Sequence, residues 1–128
     1  MSYDLKFSKH GDTVQFTAPH DLRGGTYQMG GTQKAWLNIT WNYSAYFRIL
    51  FGDEGIRALY GKTAQQVALV ITEALPKLSD AKVSQEPCGC HRSADCYWAI
   101  TPENARKALQ DLRSLAELSP PDAVLEGD

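Results

Sequence analysis

The fold of this chain is decided in residues 35–51, AWLNITWNYSAYFRILF, where the spacing of apolar side chains changes near Ser44. Before Ser44, apolar and polar residues alternate, which is the pattern of a strand that buries one face. After it, apolar residues recur at helical spacing, at Tyr46, Phe47, Leu50 and Phe51. Gly52 supplies an ending for this helix. The stretch therefore predicts a strand that leads directly into a helix.

Toward the N-terminus, two further alternating segments predict an antiparallel hairpin. Their apolar positions are Tyr3, Leu5 and Phe7 in the first segment and Val14, Phe16 and Ala18 in the second. The run His10-Gly11-Asp12 between the segments has the composition of a tight turn. Residues 1–42 are therefore predicted to consist mainly of strands.

Toward the C-terminus, the pattern is helical. Thr63 and Gln66 have the spacing of a capping box, and the apolar run over residues 67–75 predicts a helix that is buried on most sides. Thr101 before Pro102 is a typical helix start, and apolar residues follow it at helical spacing. Strands first and helices second predict an α+β fold, with an N-terminal antiparallel sheet of three to four strands packed by three to four helices.

Length and composition indicate one domain. The chain has 128 residues, of which 43% are hydrophobic and 22% charged. A chain of this length buries roughly two thirds of its unfolded surface, which suffices for one core. We expect a single domain over residues 1–118 and an acidic, solvated tail over residues 119–128. Pro120 and Pro121 would stop the last helix, and every charge after Arg113 is acidic.

The charge and hydropathy patterns exclude several kinds of partner. The formal net charge of -2 gives no general attraction to nucleic acid or to an acidic membrane. No apolar run approaches the roughly 18 residues of a membrane helix, and the first residues lack the layout of a signal peptide. We therefore expect a cytoplasmic protein.

A glycine-rich segment over residues 24–32, GGTYQMGGT, contains the Gly-Gly-Thr unit twice. It is not a phosphate loop of the nucleotide triphosphatases, because Gly31 stands where that motif requires lysine. Two interpretations stay open. The glycines either form turns around a short strand, or they let the backbone close over a ligand. In the second case the ligand-binding residues would be Gly24, Gly25, Gly30 and Gly31.

The strand predicted over residues 35–42 places polar side chains on one face. This face would carry Trp36, Asn38, Thr40 and Asn42, and the core face would carry Ala35, Leu37, Ile39 and Trp41. The amide and hydroxyl groups could hydrogen-bond the edge of a ligand while an indole stacks on a planar base or sugar. An ordinary solvated sheet face is the alternative.

All three cysteines lie within nine positions, together with one histidine. Cys88, Cys90, His91 and Cys96 make up the donor set of a Cys3His zinc site, so a structural zinc ion is the cofactor that the sequence leaves open. The spacing is unusual, because Cys90 and His91 are adjacent. Free thiols in a loop and a local disulfide stay open as alternatives.

No catalytic motif was found in the sequence. His-Glu-x-x-His, Gly-x-Ser-x-Gly and dinucleotide fingerprints are absent, and no pair of carboxylates is marked as acid and base by its position. This favours a binding protein over an enzyme, and we name no catalytic residue.

Three strings resemble a group of small uncharacterised proteins encoded by phages and prophages. They are residues 24–32, residues 35–44 and the run IRALYGKT over residues 56–63. Shorter matches are Tyr97-Trp98, Asn104-Ala105, Ala108-Leu109 and Gly127-Asp128. The resemblance covers residues 24–75 and 97–128, and its most specific part is the Asn-Ile-Thr-x-Asn-Tyr-Ser string. It implies a phage origin and an α+β fold, but no chemistry. The cysteine segment departs from the pattern, so zinc would be a local addition.

These observations favour a phage-encoded, non-catalytic accessory protein that acts against host defence in the host cytoplasm. Its partner would be a small nucleotide-like signal or a host defence protein, and a homo-oligomer stays open. One alternative is a small hydrolase or nucleotide-modifying enzyme with an unidentified active site. The other is a minor structural phage protein.

Overall fold

The computed structural model describes residues 2–22, 32–80 and 101–127, without the side chains of residues 79 and 80. The strands are β1 (Ser2–Lys9), β2 (Asp12–Thr13), β3 (Gln15–His20), β4 (Thr32–Lys34), β5 (Trp36–Thr40) and β6 (Val124–Gly127). The α-helices are α1 (Ser44–Phe51), α2 (Ala64–Ala74) and α3 (Pro102–Leu118). Short 3₁₀ helices span Trp41–Tyr43, Gly55–Leu59 and Leu75–Asp80.

Strand β1 is the centre of the main sheet, and its neighbours are all antiparallel to it. Leu5 pairs with Leu37 of β5 and also with Gly127 of β6, so these two strands occupy opposite edges of β1. Strand β2 pairs with the last residues of β1 through the turn at His10 and Gly11, whose φ angles are 54° and 84°. A left-handed backbone at both turn positions matches the twist of a two-residue hairpin.

A second, two-stranded sheet consists of β3 and β4. Gln15 pairs with Lys34 and His20 pairs with Thr32, with a register irregularity between these pairs. Ala35 joins the two sheets, because its amide donates to the Val14 carbonyl and its carbonyl accepts from the Phe7 amide, both at 2.9 Å.

The core lies between one face of the main sheet and the helices. Alternate strand residues are almost completely buried there, at Tyr3, Leu5, Phe7, Leu37, Ile39 and Leu125. They belong to one apolar cluster with helix residues such as Phe47, Ile71 and Leu112. The predicted α+β fold, a small antiparallel sheet packed by helices, is confirmed.

The helix starts follow the local sequence signals. The Thr63 amide donates to Gln66 Oε1 at 3.0 Å, and the Gln66 amide donates to Thr63 Oγ1 at 3.3 Å, which completes the predicted capping box. Thr101 Oγ1 accepts a hydrogen bond from the Asn104 amide at 3.1 Å, and Pro102 is the first residue of α3. Helix α2 is less buried than its apolar run predicts, since Leu69 is 58% exposed.

The prediction of a solvated acidic tail is wrong for the C-terminal residues that the structure describes. Val124–Gly127 forms β6, and the side chains of Ala123 and Leu125 are completely buried. The Gly61 amide donates to the Leu125 carbonyl at 2.8 Å, and the Leu125 amide donates to the Lys62 carbonyl at 2.9 Å. The segment is held from both sides because its apolar residues complete the core, while its carboxylates lie at exposed positions.

Strand β5 ends earlier than its alternating pattern predicts. Trp41 begins the 3₁₀ helix instead of continuing the core face of the strand, and its ring stacks on that of Tyr3 with centroids 4.7 Å apart. The Arg57 guanidinium lies over both rings, at 5.4 Å from Tyr3 and 5.2 Å from Trp41. Among the helices described here, none is long and apolar enough to cross a membrane.

Candidate functional site

The side of the main sheet that faces away from the helices is here called the outer face. It carries Ser2, Asp4 and Lys6 of β1, Trp36 and Asn38 of β5, and Glu126 of β6. The register places Lys6 opposite Trp36 on one side and opposite Glu126 on the other. Directly opposed residues on one face lie about 4.5–5.5 Å apart at Cβ, so an indole, an ammonium and a carboxylate form a short row across three strands.

Asn38, a predicted ligand residue, holds two strands together. Its Nδ2 atom lies 2.7 Å from Asp4 Oδ1, 2.9 Å from Ser2 Oγ and 3.2 Å from the Tyr3 carbonyl oxygen. An amide nitrogen has two hydrogens, so these three acceptors of β1 already engage its donor capacity. The Asn38 amide therefore stabilises the pairing of β1 with β5.

Thr40 and Asn42, the other two predicted ligand residues of this strand, form a helix start. Thr40 is only 8% exposed, and its Oγ1 accepts from the Asn42 amide at 3.4 Å, which caps the 3₁₀ helix Trp41–Tyr43. Asn42 lies within that helix, so it does not extend the polar row of β5. The structure thus brings Trp36 and Asn38 together on the outer face and gives Thr40 a structural contact.

A groove of about 760 Å³ lies beside Trp36 on this face and is here called the outer-face groove. It is lined by Asp4, Lys6, Trp36, Tyr60, Gly61, Val124, Leu125, Glu126 and Gly127. Lys6, Trp36 and Tyr60 are half-buried, whereas Asp4 and Glu126 are exposed. Sequence analysis missed every lining residue except Trp36. The alternation of β1 signals that Asp4 and Lys6 share a face, but only strand pairing brings Glu126 beside them.

Tyr60 forms a wall of the groove by packing on Gly127. A Cβ atom at position 127 would lie 2.5 Å from Tyr60 Cζ and from Tyr60 Oη, and 2.9 Å from the Asp4 carbonyl oxygen. Glycine is needed here because the aromatic ring rests against the backbone of β6. This close approach places a phenol near Asp4 of β1.

Among the described residues that line the groove, the charged side chains are Lys6, Asp4 and Glu126. Asp4 Oδ1 is within hydrogen-bond distance of the Asn38 amide, and Glu126 Oε2 accepts from Ser8 Oγ at 2.8 Å. Within the described residues, Lys6 has no carboxylate oxygen within 4.0 Å. Each carboxylate thus has at least one neutral hydrogen-bond partner. The Lys6 ammonium forms no ion pair with another described residue, so it can pair with an anionic group of a ligand.

The two remaining sets of predicted residues lie outside the described part of the chain. Gly24, Gly25, Gly30 and Gly31 belong to residues 23–31, which connect β3 to β4 in the chain, and the glycine loop stays a prediction. Cys88, Cys90, His91 and Cys96 belong to residues 81–100, so the zinc site also stays a prediction. Among the residues that the structure describes, no group of three or more His, Cys, Asp and Glu side chains could hold a metal ion.

Comparison with protein-family models, curated proteins and solved structures finds no significant match. The resemblance to phage and prophage proteins therefore stays a prediction. The function is accordingly inferred from the residues of the outer-face groove.

Proposed function

We propose that this chain is a non-catalytic binding protein that holds a small nucleotide-like ligand in the outer-face groove. One observation carries the proposal. The half-buried indole of Trp36 lies opposite the Lys6 ammonium in an open groove of about 760 Å³. A flat aromatic surface beside a cation matches the flat base and the anionic phosphate of a nucleotide.

Each side chain of the groove supplies a different contact. Trp36 offers a ring on which a base stacks, and such stacking is tolerant of base identity. Lys6 pairs with a phosphate oxygen, while Asp4 and Glu126 accept hydrogen bonds from ribose hydroxyls or from an exocyclic amine. The Tyr60 phenol borders the same space.

The charge balance of the groove favours a particular class of nucleotide. Among its described lining residues, one ammonium is set against two carboxylates, so we expect each additional phosphate charge to meet net repulsion. The ligand is therefore a nucleoside monophosphate or a cyclic nucleotide in preference to a triphosphate. Both carboxylates are exposed to solvent, whereas acid–base catalysts work best in sites that exclude water, which supports binding over catalysis.

In the phage setting that the sequence resemblance implies, binding would serve counter-defence. A protein that retains a nucleotide-like signal lowers its free concentration and so prevents activation of the host effector that responds to it. The role needs no reaction, only affinity and sufficient protein in the host cytoplasm.

Isothermal titration calorimetry tests the binding step with nucleoside monophosphates, cyclic nucleotides and ATP as probes. Trp36→Ala removes the stacking surface and should weaken binding by about 1–3 kcal/mol, which is roughly 5- to 150-fold in Kd. Lys6→Ala should weaken binding of phosphate-containing probes but leave that of the free nucleoside nearly unchanged. Lys107→Ala, which removes an exposed lysine of α3, is the matched control.

The proposal is contradicted if the parent binds none of these probes at about 1 mM, the upper end of ordinary small-ligand affinities. It is also contradicted if both groove variants, with melting curves like that of the parent, bind as the parent does. A plaque assay in a host that carries a nucleotide-signalling defence tests the biological role. The parent should restore plaques and Trp36→Ala should not.

A further inference from the structure

A second groove, here called the helical groove, lies between α2 and α3 and has a volume of about 660 Å³. It is lined by Ala64, Gln65, Ala68, Leu69, Thr72, Arg113, Ala116, Glu117, Ser119 and Pro121. Ala64 and Ala116 are almost completely buried, so alanines form its floor. Leu69 also lines it and is 58% exposed.

The helical groove and Leu69 form a hole and a knob on one surface. The small floor residues leave space into which an apolar side chain can enter, and Leu69 lines the same groove. A two-fold symmetric contact requires a surface that is complementary to itself, and a knob beside a hole meets this requirement. Burial of an apolar side chain in such a hole is favourable, since it removes the apolar surface of the side chain and that of the groove floor from water.

The charges at the edge of the helical groove are also self-complementary. Arg113 and Glu117 lie one turn apart on α3, with Arg113 Nε 3.6 Å from Glu117 Oε1. Arg113 Nη1 also donates to Thr72 Oγ1 of α2 at 3.4 Å. If a two-fold axis passes between the two charged residues, Arg113 of each copy faces Glu117 of the other. A second copy of this chain in antiparallel orientation would therefore present opposite charges at this edge of the groove.

We propose that the helical groove is the interface of a two-fold symmetric homodimer, in which Leu69 of each copy enters the alanine floor of the other. The reciprocal Arg113–Glu117 pairs set the orientation of the two copies. This interface is independent of the proposed nucleotide binding, because the helical groove and the outer-face groove share no lining residue. Dimerisation thus leaves the outer-face groove of each copy open to solvent.

Sedimentation velocity over a range of protein concentrations tests the dimer. The parent should change from monomer to dimer with increasing concentration, and Leu69→Glu should raise the dimer dissociation constant by about 10-fold or more, since it places a charge in an apolar contact. Ile49→Glu is the matched control, because Ile49 of α1 is 51% exposed and does not line the helical groove. This control should dimerise like the parent.

Charge reversal gives a sharper test of the two-fold arrangement. Arg113→Glu and Glu117→Arg should each weaken the homodimer, because like charges then face each other across the axis. An equimolar mixture of the two variants should recover dimers, all of them heterodimers, since one chain then presents two acidic positions to two basic positions. Loss of the pair within one helix could not produce this recovery. The proposal is overturned by a parent that stays monomeric at about 100 μM, by a Leu69→Glu variant that dimerises normally, or by a mixture that stays monomeric.

Discussion

The two faces of the main sheet consist of alternate residues of the same strands, yet they differ in almost every property. The inner face carries Leu5, Phe7 and Leu37, which are at most 1% exposed and pack against the helices. The outer face carries their sequence neighbours Lys6 and Trp36, which are half-buried beside an open groove. Adjacent residues of one strand point to opposite faces, so residues that stabilise the fold alternate with residues that can contact a ligand.

The edges of the sheet show the same division. On β6, Leu125 is completely buried while Glu126, its neighbour, is exposed and lines the groove. Substitutions on the inner face should therefore act on the free energy of unfolding, and substitutions on the outer face should act mainly on binding. Three substitutions test that separation, from the largest expected effect to the smallest.

Phe7→Ala should have the largest effect. Phe7 of β1 is completely buried, so the change removes apolar contacts and leaves a cavity. We expect a loss of about 3–5 kcal/mol in the free energy of unfolding, measured by urea denaturation. Lys6→Ala, at the neighbouring position, should cost about 1 kcal/mol at most because its side chain lies on the outer face. Equal losses for the two variants would contradict the division between the faces.

Leu125→Ala tests whether the C-terminal strand belongs to the core. Its side chain is completely buried, and we expect a loss of about 2–5 kcal/mol in the free energy of unfolding. Glu126→Ala is the control on the same strand. It removes the acceptor of the buried Ser8 hydroxyl and should cost about 1–2 kcal/mol. A Leu125→Ala variant as stable as the control would mean that β6 does not contribute to the core in solution.

Of the three substitutions, Asn38→Ala should have the smallest effect on stability. It shows whether this side chain acts on folding or on ligand binding. The amide bridges β1 and β5, so its loss should cost about 0.5–1.5 kcal/mol of unfolding free energy while ligand affinity changes little. Gln110→Ala, at an exposed position of α3, should change neither quantity. Unchanged melting together with a clear loss of nucleotide affinity would instead make Asn38 a ligand residue, as its position on the strand first suggests.

The helix starts could be predicted because their partners are local. Thr63 and Gln66 cap each other across three residues, and Thr101 caps α3 over the same separation. The helical period after Ser44 is equally local, and it correctly placed α1. These signals need no knowledge of the rest of the chain.

The C-terminal strand could not be predicted from its own residues. Four residues are too few for a clear period, and the surrounding carboxylates and prolines are typical of a solvated end. Its partners are far away in sequence, since Leu125 pairs with Phe7 on one side and bonds Gly61 and Lys62 on the other. Burial of Leu125 and Ala123 in a core built elsewhere stabilises this strand.

The candidate site divides in the same way. Alternation along β5 correctly placed Trp36, Asn38 and Thr40 in the strand, but Asn42 lies in the 3₁₀ helix that follows it. The cap that Thr40 supplies to the next helix prevails over the alternating pattern there. Lys6 and Glu126 join the site through the register of strands from opposite ends of the chain.

The sequence by itself determined the α+β class, the starts of α2 and α3, and the faces of the paired residues in β1 and β5. Those features depend on backbone periods and on hydrogen bonds between residues a few positions apart. Only the tertiary structure decided that β6 lies beside β1, that Tyr60 rests on Gly127, and that Lys6 therefore stands between an indole and a carboxylate. Those contacts arise because burial of apolar surface stabilises any pairing that completes the core, whatever the separation of the paired residues along the chain.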